Sequence, residues 1–252
     1  MARLVLHFGG NGHASIRLDR ARFALAARCP RLALVDLAYP GFEGRPRARS
    51  LDEFLDALAG QIRGLPEPPV GAFASGIGAL IALGLRGRGE LAGLPLVFEG
   101  PVLWGLEHRA FPTVLRRFPP ARALVRSAFG LRGFQERFAR KHFESRPDPA
   151  TLAGFFEGYR RCSAFGDLFA WFGPEYLRTL ERAFASKPEA LERITAWVGG
   201  RDRVVGLAEV RATERALGIS LPVVEFEGWG HYPTIDVPEE WADALCLSLA
   251  PA

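Results

Sequence analysis

The stretch Pro69 to Arg86, PVGAFASGIGALIALGLR, constrains the fold of this 252-residue chain more than any other. It reads as a short buried strand (Val70 to Ala74), an abrupt turn (Ser75 to Gly78) and an apolar helix (Ala79 to about Arg86). So sharp a turn brings strand and helix almost into contact, and the residues two before and two after its apex must be small. With Ser75 at the apex those positions hold Phe73 and Ile77, which are bulky. With Gly76 at the apex they hold Ala74 and Gly78, which fit. The apex is therefore read as Gly76, where glycine adopts without strain a backbone conformation that costs other residues about 1–3 kcal/mol.

Around this turn, strand and helix patterns alternate. Leu4 to Phe8 is an apolar strand feeding Gly9-Gly10-Asn11-Gly12, and a helix follows from about Ser15 to Cys29. Leu32 to Leu37 is the next strand, ending in the loop Tyr39-Pro40-Gly41-Phe42-Glu43-Gly44. Ser50 with Glu53 then forms a capping box for a helix to about Ile62. Leu94 to Glu99, Ile194 to Val198 and Val223 to Phe226 are further strands, and Pro238 opens a closing helix. This rhythm predicts an α/β fold: a mostly parallel central sheet with helices on both faces, whose ligands sit at the carboxyl ends of the strands.

The rhythm stops between Gly105 and about Glu192. That span is rich in aromatics and arginines, with helical spacing at Leu131, Phe134 and Phe138 and at Tyr159 and Cys162. It reads as a helical cap of residues 105–192 inserted into a core domain of residues 1–104 and 193–252. A lid over an apolar ligand needs apolar surface on its inner side, so Trp104, Phe155, Phe156, Trp171 and Phe172 are the aromatics expected to face a pocket.

Composition removes several function classes. No apolar run reaches the roughly 18 residues of a membrane span, and MARLVLHFGG runs into a strand without a cleavable signal pattern, so a cytoplasmic protein is expected. The cysteines (Cys29, Cys162, Cys246) are scattered and odd in number, with no metal-ligand spacing. Buried free thiols are expected, with neither a disulfide nor a metal. The net charge is +4, carried by thirty arginines and two lysines, Lys141 and Lys187. No basic stripe interleaved with aromatics accompanies it, which argues against nucleic-acid binding. GxGxxG is absent, and no cofactor is expected.

Four loops beside the elbow carry a likeness. Ala74-Ser75-Gly76-Ile77-Gly78-Ala79 resembles the nucleophile elbow of the α/β-hydrolase superfamily, His7-Phe8-Gly9-Gly10 its His-Gly loop, and the loop after Leu37 its Asp-x-Pro-Gly-x-Gly turn. Gly199-Gly200-Arg201-Asp202-Arg203-Val204-Val205 resembles the turn bearing the triad acid, and Gly228-Trp229-Gly230-His231-Tyr232-Pro233 the loop bearing the triad histidine. The likeness covers about residues 3 to 250, the cap least, and follows the family's chain order. It implies a His231–Asp202 pair, with Glu99 a second candidate for the acid, and an oxyanion hole from amides at Gly9 or Gly10 and at Ile77. The nucleophile's own position falls on Gly76, and Ser75 is the neighbouring hydroxyl. Phe8 departs from the glycine usual in that loop.

Three function classes remain open. A His231–Asp202 dyad could act as general base under an oxyanion hole without an acyl-enzyme, giving hydrolysis, lyase or cyclisation chemistry on a small apolar or acyl substrate. The pocket could bind such a ligand without chemistry. The cap surface could engage a partner protein. Keeping both His231 and Asp202 favours the first class; the absent side chain at Gly76 favours the second.

Overall fold

The computed structural model describes residues 2–10, 13–101, 110–145 and 147–249. Its centre is a six-stranded sheet in the order β2-β1-β3-β4-β5-β6, every neighbouring pair parallel. The strands are β1 (Arg3–Phe8), β2 (Leu32–Asp36), β3 (Gly71–Ser75), β4 (Leu96–Glu99), β5 (Ile194–Gly199) and β6 (Val223–Phe226). The chain leaves β1 for β2 on one side and returns to place β3 on the other. The carboxyl ends of β1 and β3 therefore flank the point where strand order reverses, the usual crevice for a ligand in such sheets.

The inner strands β1, β3, β4 and β5 are mostly buried on both faces, as parallel strands between helix layers must be, while β6 at the sheet's edge leaves Val224 and Glu225 exposed. On one face Leu6, Phe8, Ala72, Ala74 and Phe98 meet helices α2 (Leu51–Arg63) and α3 (Gly78–Gly87). On the other, Val5, Phe73, Val97 and Trp197 pack with α1 (Asp19–Arg28) and the closing helix. Ser50 caps α2 by accepting the Glu53 N–H at 3.1 Å, and Glu53 accepts the Arg49 N–H at 2.9 Å. The single helix expected from Ser15 is instead a 3-10 turn (Ser15–Leu18) followed by α1, because the Ser15 backbone N–H and hydroxyl are both tied to Glu43, at 3.1 and 2.8 Å.

Between β4 and β5 the described residues form helices only: α4 (Ala110–Arg117), α5 (Pro119–Ala128), α6 (Arg132–His142), α7 (Pro149–Arg160), α8 (Asp167–Trp171) and α9 (Pro174–Ala185), then a 3-10 turn. Buried Asp167, on α8, accepts Arg47 Nε and Nη2 at 2.5 Å each and Arg122 Nη1 at 2.8 Å, tying these helices to the loop before α2. Helix α10 (Leu207–Leu217) links β5 to β6, and α11 (Pro233–Asp236) and α12 (Pro238–Ser248) close the chain. Among the described residues no helix is long and apolar enough to cross a membrane.

The cysteine reading is corrected. Cys29, at the end of α1, and Cys246, on α12, are joined by a disulfide with Cα atoms 6.0 Å apart. The two helices pack side by side, a proximity between residues 217 apart that spacing in the sequence does not reveal. Buried Cys162 lies outside that bond.

Candidate active site

The turn between β3 and α3 has a single left-handed residue, Gly76, with φ of +56°. Two residues on, Gly78 lies so close to the end of β1 that a Cβ there would stand 2.1 Å from the Phe8 carbonyl oxygen. This approach sets the start of α3, with Ile77 as its N-cap, beside the Gly9–Gly10 loop. Above Gly76 there is space: a Cβ built there meets nothing within 4 Å. The Gly76 N–H donates to the Glu99 carbonyl at 3.0 Å, extending the sheet by one rung.

On the far side of the crevice, the turn after β5 and the loop after β6 bring Asp202 and His231 together. His231 Nδ1–H donates to Asp202 Oδ2 at 2.8 Å, and Asp202 Oδ1 accepts the N–H groups of Val204 and Val205 at 2.6 and 3.0 Å. Burial opposes the charge on Asp202. The His231 hydrogen bond and charge and the two amides outweigh burial and hold the carboxyl below its usual range. The bond at Nδ1 fixes the ring tautomer and leaves Nε2 as the nitrogen that can exchange a proton. Glu99 makes no such bond. It is buried, its Oε2 has no partner, and burial together with the charge of Asp202 pushes its carboxyl well above the ordinary value.

Gly9, Gly10, Ser75, Gly76, Ile77 and His231 all line one cavity of about 790 Å³. Its apolar wall comes from the helical excursion between β4 and β5, through Phe129, Phe134, Phe138, Tyr159, Phe165 and Phe169. The expected wall residues are corrected here. Phe155, Phe156, Trp171 and Phe172 are not among its lining. Phe155 and Phe156 are buried within the helical layer against Phe138, Tyr159 and each other; Trp171 lies tilted against Phe54, and Phe172 edge-on to Tyr176. Hydrophobicity marks a helix face as buried without saying whether it meets other helices or a void. Trp104 lies outside the described residues.

Two further groups at the cavity were not singled out by sequence. His142, at the end of α6, stacks on Phe138 with ring centroids 3.7 Å apart and lies edge-on to His231 at 5.7 Å. Burial lowers its pKa to about 4, so the ring is neutral at physiological pH. The second group is His7, His13 and Asp36. Asp36 Oδ1 accepts from His7 Nδ1 at 3.1 Å and from His13 Nε2 at 2.7 Å, and Arg22 approaches Oδ2 at 3.5 Å. Burial would raise the Asp36 carboxyl, but the charge of His13 and the bonds from both rings hold it far below the usual carboxylate range; burial lowers the pKa of His7. Ligand atoms of these three residues lie within 4.8 Å of one another, spacing that a metal could use. The Arg22 charge beside the carboxylate opposes a cation there, and the carboxylate's hydrogen bonds are already made.

Comparison with known proteins agrees with this architecture. The chain is similar in structure to a reconstructed ancestral haloalkane dehalogenase (TM-score 0.70, 18% identity, 98% of this chain and 91% of that one). It is also similar to a haloalkane dehalogenase loop variant from Bradyrhizobium elkanii (0.69, 17%, 98% and 89%). A carboxylesterase structure from the thaumarchaeon Nitrososphaera gargenis matches with TM-score 0.62 at 13% identity, over 97% of this chain and 88% of that one. At such identities the likeness speaks for the fold. No curated protein sequence matches the chain. The profile of the alpha/beta hydrolase family, however, matches residues 4–244, from the first strand through the sheet and into the closing helix, and the chain belongs to that family.

Proposed function

We propose that this protein is a small-molecule enzyme in which the His231–Asp202 dyad serves as general base without a side-chain nucleophile, the helices between β4 and β5 acting as a lid. The observation that carries the reading is a partly buried, tautomer-fixing 2.8 Å bond linking Asp202 to His231, whose ring lines the same cavity as a turn residue with no side chain and open space above it. Neighbours named as dehalogenases and a carboxylesterase support a small-molecule substrate.

On this reading a water occupies the space over Gly76. His231 Nε2 takes its proton as the oxygen adds to an acyl carbon, and the developing oxyanion accepts hydrogen bonds from the Ile77 amide and from Gly9 or Gly10. Collapse of that adduct breaks the bond to the leaving group, which takes the proton back from His231. Asp202 stays ionised throughout and stabilises the imidazolium.

The test is rapid-mixing kinetics on activated esters. Turnover without a burst is expected, falling about 100-fold or more in His231→Ala. A burst of product equal to the enzyme, or turnover indifferent to His231→Ala, contradicts the proposal. Binding without chemistry is the second reading, favoured by the missing hydroxyl at Gly76. It predicts saturable binding of the same esters and no product that depends on His231.

A further inference from the structure

The charge lining the cavity is one-sided. Arg17, Lys141 and Arg203 contribute to its wall, and no aspartate or glutamate does among the described residues. Two carboxylates bonded to histidines that line the cavity are already committed: Asp202 to His231, and Asp36 to His7, His13 and Arg22. Arg203 is partly neutralised by Glu144 at 3.8 Å, and Lys141 is exposed at the edge.

Arg17 differs from both. It projects from the 3-10 turn after the Gly9–Gly10 loop and is partly buried, with its guanidinium 3.9 Å above the Phe155 ring and 4.4 Å from that of Tyr159. One N–H donates to the Phe155 carbonyl at 2.7 Å. Its Nε is buried without a hydrogen-bond partner, and no carboxylate pairs with the side chain among the described residues. A cation partly withdrawn from water, with one buried donor unused, is costly unless something supplies the missing charge. The planar fork of arginine matches a carboxylate, and the rings on which it rests restrict it to one orientation.

We infer that Arg17 recognises the carboxylate of the substrate, and that the cavity takes an apolar acid whose hydrocarbon body lies against Phe129, Phe134 and Phe138. The inference rests on the reading of this cavity as the substrate site, but not on the chemistry proposed for it.

Titration calorimetry with phenylbutyrate and its neutral amide, which share a body and differ in the head group, separates the two. The acid should bind about tenfold or more tighter than the amide, the gain of a charge-assisted pair. The preference should fall to about twofold or less in Arg17→Gln, persist in part in Arg17→Lys, and survive in Lys141→Gln and in His231→Ala. Loss of turnover in His231→Ala with the preference retained shows that binding and catalysis stand or fall separately. The proposal is overturned by equal affinity for acid and amide, by the absence of saturable binding of either to the wild type, or by a preference that survives Arg17→Gln or vanishes in Lys141→Gln. Should Arg17→Gln fail to fold, the wild-type acid–amide comparison and the Arg17→Lys variant still decide.

Discussion

Two glycines of the elbow, two residues apart, should lose stability to very different degrees when given a side chain. At Gly76 the obstacle is conformation alone: φ is +56° and a Cβ meets nothing within 4 Å. A left-handed residue costs about 1–2 kcal/mol with a Cβ present, and restricting the unfolded chain returns about 0.4–1 kcal/mol. Gly76→Ser should therefore lose only about 1 kcal/mol, or about 2–4 °C in Tm for a chain of this size. At Gly78 the backbone is helical and the obstacle is contact. A Cβ would lie 2.1 Å from the Phe8 carbonyl oxygen, 2.7 Å from its carbon and 2.9 Å from the Gly9 oxygen. All are main-chain atoms of the central strand and its loop, which cannot swing aside as a side chain can. Gly78→Ala should cost about 3 kcal/mol or more, the upper end of overpacking, and shift Tm by about 10 °C or prevent folding. Thermal melts followed by circular dichroism compare the two. If Gly78→Ala melts with the wild type, or Gly76→Ser is the more damaging change, the elbow does not sit against β1 as described.

Reducing the Cys29–Cys246 disulfide opens a link spanning 217 residues and should lower stability by about 2–5 kcal/mol, read as a lower urea midpoint with reductant present; three reactive thiols in the denatured, unreduced chain would contradict the bond. His142 supplies a pH dependence. Its folded pKa of about 4 lies below the ordinary 6.5, so the unfolded chain binds the extra proton first, and stability present above pH 6.5 is lost as pH falls toward 4. Melts across that window should fall steeply in the wild type and less so in His142→Gln, and equal slopes would refute the assignment. Glu99 runs the other way. Its raised pKa means that stability is lost as pH rises above the unfolded carboxyl's pKa, and Glu99→Gln should flatten that loss in melts between about pH 5 and 8.

Much of this site is legible in the sequence because its parts are local. The small side chains of Ala74 and Gly78 are enough to locate the apex at Gly76, and the Asp202 and His231 turns stand in order after their strands. What the sequence hides is long-range. The Cys29–Cys246 bond depends on two helices meeting across one face of the sheet. His7 meets Asp36 because β1 and β2 pair in parallel with Arg3 opposite Leu32, which puts the fifth residues of both strands side by side. Only an assumed register would have exposed that pairing. The cavity aromatics are misassigned for another reason: the helices from α4 to α9 share their apolar faces with one another and with elements of the core below them, and spacing alone does not say which face of a helix meets a void.

If His231, Asp202 and the Ile77 amide are arranged for acyl chemistry as proposed, a hydroxyl placed at position 76 should become reactive. Peptide-mapping mass spectrometry after treatment with a serine-directed phosphonate reads this out. No adduct is expected on the wild type, an adduct at position 76 in Gly76→Ser, and its loss when His231→Ala is added, because the dyad must activate the hydroxyl. An adduct on wild-type Ser75, or no adduct in a folded Gly76→Ser protein, would contradict that arrangement.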